Sequence, residues 1–241
     1  SQKLNPSHVI ISSPVETLFE NTIEAITSGV KNILVEKPMI LNVRQAKSLI
    51  DIKNKYNINI KVAYNRRFYS SLQAALNLIT KSKETIQSIY FEFNEIYPFK
   101  DGPNNRDEYV KKKWLLVNSM HVIDLAFVSV GLPLFSKSNF NCKDYDLNWH
   151  PTGSIFYGSG LSETGIPFSY HANWKSPGNW KIEWMTNSTR YIFNPIEKLK
   201  VMKKGSFNIE EVPIDDSLDI KYKPGVYLQN QAFLFGDNTQ L

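Results

Sequence analysis

The sequence is poor in cysteine and in long apolar runs, and both shortages restrict the class of protein that it encodes. Cys142 is the only cysteine among 241 residues, so no disulfide can form within the chain and folding needs no oxidising compartment. No apolar run approaches the roughly 18 residues that a membrane-spanning helix requires. Residues 1–6 lack the apolar segment of a signal peptide. These absences predict a soluble, cytoplasmic protein without a membrane partner.

Charge of one sign is not concentrated in any part of the chain. The formal net charge is +5, from 28 lysines and arginines against 23 acidic residues. Lys111, Lys112 and Lys113 form a short local run, which suits either a solvated face or a polyanion site. Because the lysines are scattered and no recognised motif accompanies them, we expect no nucleic-acid partner. The mild basicity suits an anionic small substrate, such as a phosphorylated or nucleotide-linked sugar.

The first quarter of the chain alternates between short apolar runs and segments with helical spacing. The apolar runs predict three buried strands, at 8–12, 33–35 and 58–62. Gly29 is placed to end the first intervening helix in a left-handed conformation, and Asn42 is placed to cap the second. Strand-helix repeats of this length predict a parallel α/β sheet, whose ligands bind at the carboxyl ends of the strands.

Beyond residue 70 the pattern becomes that of an antiparallel sheet. A predicted helix at about 71–80 precedes residues 89–94, where apolar and polar residues alternate as in a strand with one buried face. A polar loop at 100–106 and a helix at 118–130 follow. The stretch 134–213 is rich in aromatic and β-branched residues interrupted by turn signals, which predicts several antiparallel strands.

Several segments, taken in order, resemble one known family. The second predicted strand ends in Glu36-Lys37-Pro38, and similar segments lie before it, after it and on the helix around His121. Together they resemble the glucose-fructose oxidoreductase/inositol dehydrogenase/MocA (Gfo/Idh/MocA) family, on residues 9–14, 29–38, 62–68 and 118–125. Three later segments look like a subgroup linked to surface-polysaccharide sugar metabolism, at 149–151, 169–174 and 225–229.

The resemblance implies a fold of class α/β plus α+β. Residues 1–69 would form a partial Rossmann-type parallel sheet, and residues 70–241 a substrate-binding and oligomerisation domain with a large, mostly antiparallel open β-sheet. No Gly-x-Gly-x-x-Gly follows a predicted strand, and residues 158–160 (Gly-Ser-Gly) lie among antiparallel strands. We therefore expect the N-terminal part of the Rossmann domain to be absent, which would make the chain a fragment that is inactive alone.

The family's activity is hydride transfer between a sugar carbon and the nicotinamide of NAD or NADP. The resemblance implies that Lys37 polarises the oxygen of a sugar or nucleotide sugar and that His121 exchanges its proton. A lysine near an oxidised nicotinamide should have a lowered pKa, and imidazole titrates near neutrality, so both groups could move protons. The choice between NAD and NADP stays open, because the residue that reads the ribose 2′ position would lie in the absent part.

The resemblance also assigns binding positions. Those implied for the cofactor are Ser13, Pro14, Glu36, Lys37, Asn65 and Arg67. Those implied for the substrate are Lys37, Asn118, His121, Asp124, Trp149 and His150. No metal site is expected, because His121, His150 and His171 lack close ligand spacing.

The sequence departs from the family one turn before the helix histidine. Val117 stands where the family often has an aspartate, and Asn118 or Ser119 could supply a polar contact instead. Asp124, three residues after His121, either orients the imidazole or braces the domain interface.

Two broader questions stay open at the level of sequence. The chain could be a non-catalytic sugar-binding or oligomerising module of the same fold instead of an enzyme. The tryptophans at 149, 174, 180 and 184 suit either a core or a carbohydrate platform. Aromatic and β-branched outer positions of the open sheet predict a homo-oligomer, either a dimer or a tetramer.

Overall fold

A computed structural model of the chain describes residues 6–95, 103, 106–236 and 241. Most of the loop expected at 100–106, and the end of the chain at 238–240, lie outside these residues. Within the described ranges, no helix is both long and apolar enough to cross a membrane.

Three short parallel strands form the first sheet, in the order β1–β2–β3: His8–Ile11, Asn32–Val35 and Asn59–Val62. Helices α1 (Leu18–Thr27) and α2 (Val43–Tyr56) connect them. The central strand is the most buried, because Ile33, Leu34 and Val35 are all inaccessible to solvent. The parallel α/β sheet predicted from the sequence is therefore confirmed.

The predicted helix ends are also confirmed in this sheet. Gly29, just after α1, has φ +94°, a conformation that L side chains rarely adopt. At the start of α2, Asn42 Oδ1 accepts a hydrogen bond of 2.9 Å from the backbone N–H of Gln45. The Gln45 side chain in turn accepts from the N–H of Leu41 at 2.7 Å, so the helix start is fixed from both sides.

After β3, a 3-10 turn at Asn65–Phe68 leads to α3 (Ser70–Lys81) and the second sheet. Three helical segments lie between the first and second strands of this sheet: α4 (Glu108–Lys111), a π-helical turn (Leu115–Ser119) and α5 (Met120–Phe127). The eight strands are β4 to β11, at Ile86–Phe93, Pro133–Lys143, Ile155–Ser162, Pro167–Asn173, Trp180–Thr186, Thr189–Phe193, Lys200–Lys203 and Ile209–Glu211. Their order is β11–β10–β9–β8–β4–β7–β6–β5, and every neighbouring pair is antiparallel except β4 and β7. This matches the predicted large, mostly antiparallel sheet.

One face of the second sheet packs against α5. Phe127 meets Phe91 edge to face at 5.6 Å between ring centroids, and the indole N–H of Trp184 donates to the carbonyl of Ala126. The opposite face carries polar contacts, including the hydrogen bond from Tyr90 to Glu92. Most rings of this sheet belong to the hydrophobic core that includes α5, and association through the aromatic and β-branched outer positions stays a prediction.

The last helices, α6 (Ser217–Lys221) and α7 (Val226–Phe235), return to the first sheet. Phe233 packs with Leu34 and Ala63, and its ring lies 5.2 Å from that of His8. The division at residue 69 stays a prediction, but α7 packs on the first sheet instead of the second.

A glycine is required where α7 begins. Gly225 has φ +71°, and a Cβ at this position would lie 2.0 Å from the carbonyl oxygen of Asn65. Next to it, the side-chain amide of Asn65 donates to the carbonyl of Pro224 at 2.9 Å. The turn after β3 and the segment before α7 are therefore held together at the carboxyl edge of the first sheet.

Candidate functional site

A cleft of about 640 Å³ lies at the carboxyl edge of the first sheet, where that edge faces the π-helical turn and α5. It brings together most of the positions predicted from the sequence: Ser13, Pro14, Glu36, Lys37, Asn65, Asn118 and His121. These residues come from the ends of all three parallel strands and from α5 and the turn before it. The edge location agrees with the rule for ligand sites of parallel α/β sheets.

Lys37 follows β2 and reaches across the cleft to the second sheet's helices. Its ammonium donates a short hydrogen bond to the backbone carbonyl of Val117, in the π-helical turn. Burial, together with the positive charge of Arg66, lowers the pKa of Lys37 to about 7, and Glu36 and Glu95 oppose this shift. Lys37 can therefore both accept and donate a proton near neutral pH.

His121 lies on α5 with 7% of its surface exposed, and its Nδ1 has no hydrogen-bond partner among the described residues. Burial lowers the pKa of the imidazole strongly, and the charges of Lys37, Arg66 and Lys223 add to the effect. This direction contradicts the expectation that the histidine titrates near neutrality. A neutral imidazole can still accept a hydrogen bond from a substrate hydroxyl.

Glu95, just after β4, is a buried carboxylate that the sequence did not single out. It accepts hydrogen bonds from Asn118 Nδ2 at 2.8 Å and from Ser119 Oγ at 2.6 Å. Burial raises its pKa, and these two donors oppose the shift. Asn118 and Ser119 thus contact a carboxylate behind the cleft, while Val117 contributes its backbone carbonyl to Lys37.

The two neighbouring arginines after β3 have different environments. Arg67, predicted to line the cofactor side, instead binds Asp124 through two hydrogen bonds, Nε to Oδ2 at 2.8 Å and Nη2 to Oδ1 at 2.5 Å. Asp124 raises the pKa of Arg67 further, and the pair ties the turn after β3 to α5. This geometry supports the interpretation of Asp124 as a brace, and neither residue lines the cleft.

Arg66 lines the cleft in place of Arg67. Its guanidinium lies over the ring of Trp180, 4.8 Å from the centroid, and also near Tyr69. Trp180 is also 6.4 Å from the imidazole of His121, so this tryptophan, partly exposed, stands beside the predicted catalytic histidine.

Trp149 and His150 do not line the cleft. Both are buried, and Trp149 stacks on Trp174 with ring centroids 5.7 Å apart. The His150 imidazole pairs through Nδ1 with the carbonyl of Gly153 at 2.8 Å. The aromatic cluster therefore belongs to the core of the second sheet, and the geometry does not support the predicted contact of these two residues with substrate.

The remaining members of the cleft could not be found from a local pattern. Trp114 precedes the π-helical turn, Arg106 lies in the loop before α4, and Lys223 and Pro224 precede α7. Only the tertiary fold brings these positions together. Across the described ranges, no group of three or more His, Cys, Asp or Glu side chains is placed to hold a metal ion.

The two sheets and the cleft between them define a class of protein, an α/β protein in which a dinucleotide-binding type of sheet meets an open antiparallel sheet. The family model described as "Oxidoreductase family, NAD-binding Rossmann fold" matches residues 1–64. Residues 1–64 thus match the model of the family that the sequence resembles, Gfo/Idh/MocA.

Relatives and solved structures agree with this assignment. The chain is 23% identical over 170 residues to scyllo-inositol 2-dehydrogenase (NADP(+)) IolW of Bacillus subtilis, a match covering 66% of this chain and 47% of the relative. The fold matches an inositol dehydrogenase homolog from Azotobacter vinelandii, complexed with NADH and myo-inositol, at TM-score 0.67 and 16% identity, covering 86% of this chain and 55% of that one. It also matches a super-repressor mutant of Gal80p from Saccharomyces cerevisiae at TM-score 0.71 and 15% identity, covering 87% and 62%. The chain thus spans about half the length of the curated relative.

Proposed function

We propose that the chain carries the substrate side of an NAD(P)-dependent oxidoreductase, which transfers a hydride between a nicotinamide cofactor and a carbon of a sugar or nucleotide sugar. The observation that carries the proposal is the meeting of Lys37 and His121 in one cleft at the carboxyl edge of a parallel sheet. The lowered pKa of Lys37, about 7, suits a group that exchanges a proton during each turnover.

Lys37 acts as the acid and base of this reaction. In its neutral form the amine accepts the proton of a substrate hydroxyl, and in its charged form it returns the proton in the reverse direction. The ammonium of Lys37 donates to the carbonyl of Val117, which fixes the direction of the side chain across the cleft. His121 accepts a hydrogen bond from the substrate through its unpaired Nδ1 and orients the reacting hydroxyl.

The residues at the strand ends fit the nicotinamide end of the cofactor. Glu36 lines the cleft and forms no ion pair with any side chain of the described ranges, so its carboxylate can accept from ribose hydroxyls. Ser13 and Pro14 form the adjoining wall, and Asn65 closes the edge. NAD or NADP, when bound there, supplies the hydride donor or acceptor that the protein side chains lack.

Cofactor binding and turnover test this proposal. NADH and NADPH would be titrated by fluorescence against the 241-residue chain and, in parallel, against the product of the entire gene that encodes it. We expect binding by the gene product, reduction of NAD or NADP with a sugar from a panel, and loss of turnover in Lys37→Met and His121→Asn. Lys53→Met, which changes an exposed lysine on α2, is the matched control.

The outcomes separate the two candidate functions. Binding by the gene product with weaker binding by the 241-residue chain would also bear out the expectation that the chain is inactive alone. Absence of binding by both would overturn the redox proposal. Sugar binding by the wild-type gene product without turnover, unaffected by Lys37→Met, would favour the second candidate, a non-catalytic sugar-binding module.

We propose three finer assignments, on the substrate, the cellular location and the oligomeric state. The substrate belongs to surface-polysaccharide metabolism, because segments at 149–151, 169–174 and 225–229 resemble that subgroup. The protein is a cytoplasmic homo-oligomer that associates through the outer face of the second sheet. Sedimentation of the purified protein tests the oligomer, and a substrate screen tests the pathway.

A further inference from the structure

Arg66 is a partly buried cation without a carboxylate partner. Its Nε is fully enclosed and has no hydrogen-bond partner, and no ion pair among the described residues includes this arginine. Its planar guanidinium lies over the ring of Trp180, and the residue lines the cleft. Desolvation of a guanidinium is unfavourable unless an anion compensates for it.

Positive charge exceeds negative charge around this cleft. Its lining includes four basic side chains, Lys37, Arg66, Arg106 and Lys223, against the single carboxylate of Glu36. Glu197 and Glu95 also act on Arg66 through their charges, but neither forms an ion pair with it among the described residues, and Glu95 accepts hydrogen bonds from Asn118 and Ser119. The fold therefore concentrates cations at a position where it supplies little to neutralise them.

Arg66 directly follows Asn65, which closes the cofactor edge, but its guanidinium contacts the second sheet. Ser13 and Pro14 belong to the loop after β1, whereas Arg66 packs against Trp180 at the start of β8, on the second sheet. The imidazole of His121 lies 6.4 Å from the ring of the same tryptophan. An anion held by Arg66 would thus be part of the molecule whose carbon reacts.

We propose that the substrate carries an anionic oxygen group, a carboxylate or a phosphate, which Arg66 binds with help from Lys223, next to the carbon that Lys37 and His121 serve. The inference rests on the proposed function, since it names the substrate class for the same cleft. Arginine forms paired hydrogen bonds with both groups, and such charge-assisted bonds are stronger than those to neutral hydroxyls.

Titration calorimetry without cofactor tests the inference with three probes at constant ionic strength: glucose, glucuronate and glucose 6-phosphate. We expect at least one of the two anions to bind about tenfold or more tightly than glucose. Arg66→Met keeps an apolar stem on Trp180 and should reduce this preference to about threefold or less, with little change for glucose. Arg190→Met, which removes an arginine from the far side of the sheet, is the matched control.

The design distinguishes the two ligand sources and the role of folding. A preference for glucuronate identifies a sugar acid, and a preference for glucose 6-phosphate identifies a sugar phosphate. Arg66→Lys retains the charge but loses the planar fork, so it should keep more of a phosphate preference than of a carboxylate preference. Since this variant keeps a cation in the same place, its partial rescue shows that lost affinity in Arg66→Met is not a failure to fold.

Three results would overturn the inference. The first is equal binding of glucose and both anions. The second is an anion preference that survives in Arg66→Met. The third is a loss of NADH affinity in Arg66→Met with unchanged sugar discrimination, which would assign Arg66 to the cofactor. Failure of the redox proposal is seen separately, because the sugar titrations contain no nicotinamide. Conversely, cofactor binding and turnover of neutral sugars alone would remove only the anionic substrate.

Discussion

The pair formed by Arg67 and Asp124 gives a sharp prediction about stability. Asp124→Asn removes the charge that compensates Arg67, and it weakens both hydrogen bonds between the turn after β3 and α5. The side chains are 24% and 8% exposed, so the arginine would remain largely desolvated without its partner. Removing one member of a fully buried pair costs about 3–5 kcal/mol, and partial exposure of Arg67 reduces the expected loss to about 2–4 kcal/mol.

A second ion pair in the chain provides the control. Lys175 and Asp146 are separated by 2.7 Å, a distance like that of the first pair, but both side chains are well exposed. Asp146→Asn should therefore leave the free energy of unfolding unchanged within error, because water and salt screen such pairs. The two substitutions remove the same chemical group, so the difference between them measures the effect of burial.

Urea unfolding at neutral pH is the assay, with the double substitution Arg67→Met/Asp124→Leu completing the comparison. In a parallel thermal unfolding experiment, a chain of this size changes its Tm by about 2–4 °C per kcal/mol, so Asp124→Asn should lower the Tm by about 4–16 °C. The double variant should recover much of the loss, because no charge is left without its partner. If Asp124→Asn is no more destabilising than Asp146→Asn, the argument that the pair braces the two sheets is refuted.

Three further substitutions test other parts of the structure. Compared with Lys37→Met, the wild type should gain free energy of unfolding as the pH rises from 7 to 10.5, by up to about 1.4 kcal/mol per pH unit in urea titrations. The reason is that the unfolded lysine keeps a proton that the native site has released. A difference that does not change with pH would contradict the lowered pKa of Lys37. Gly225→Ala should lower the free energy of unfolding by more than about 2 kcal/mol, because its Cβ would meet the carbonyl of Asn65. Gly165→Ala has a similar φ but open space around it, so it should lose only about 1 kcal/mol through backbone strain. Equal losses by thermal unfolding would rule out the steric explanation. Asn42→Ala should destabilise the protein by about 1 kcal/mol through loss of the α2 cap, and Asn42→Ser should restore most of it.

The fold was accessible to sequence analysis where local chemistry determines local structure. Asn42 caps α2 because its side-chain oxygen competes well for a free N–H, and Gly29 ends α1 because only glycine adopts its φ at low cost. Lys37 and His121 were found through their flanking segments, whose resemblance to the family extends over both sheets.

The site residues that the sequence did not predict depend on geometry that no short sequence pattern encodes. Arg66 and Arg67 are adjacent, and only the direction of the 3-10 turn decides which one enters the cleft. Glu95 and Lys223 reach the site from distant segments, so their roles follow from how the chain returns on itself. Trp149 was misplaced because an aromatic residue has the same composition signal in a core as on a sugar-binding surface.

The return of α7 to the first sheet has a consequence for the synthesis of the protein. Phe233 completes the hydrophobic cluster with Leu34 and Ala63, which leave the ribosome 199 and 170 residues earlier, respectively. Until α7 emerges, the face of β2 and β3 that packs against it is not covered, although the second sheet is already complete. The nascent chain therefore finishes its later sheet before its earlier one, and the first strands are exposed to chaperones or to misassociation for most of translation.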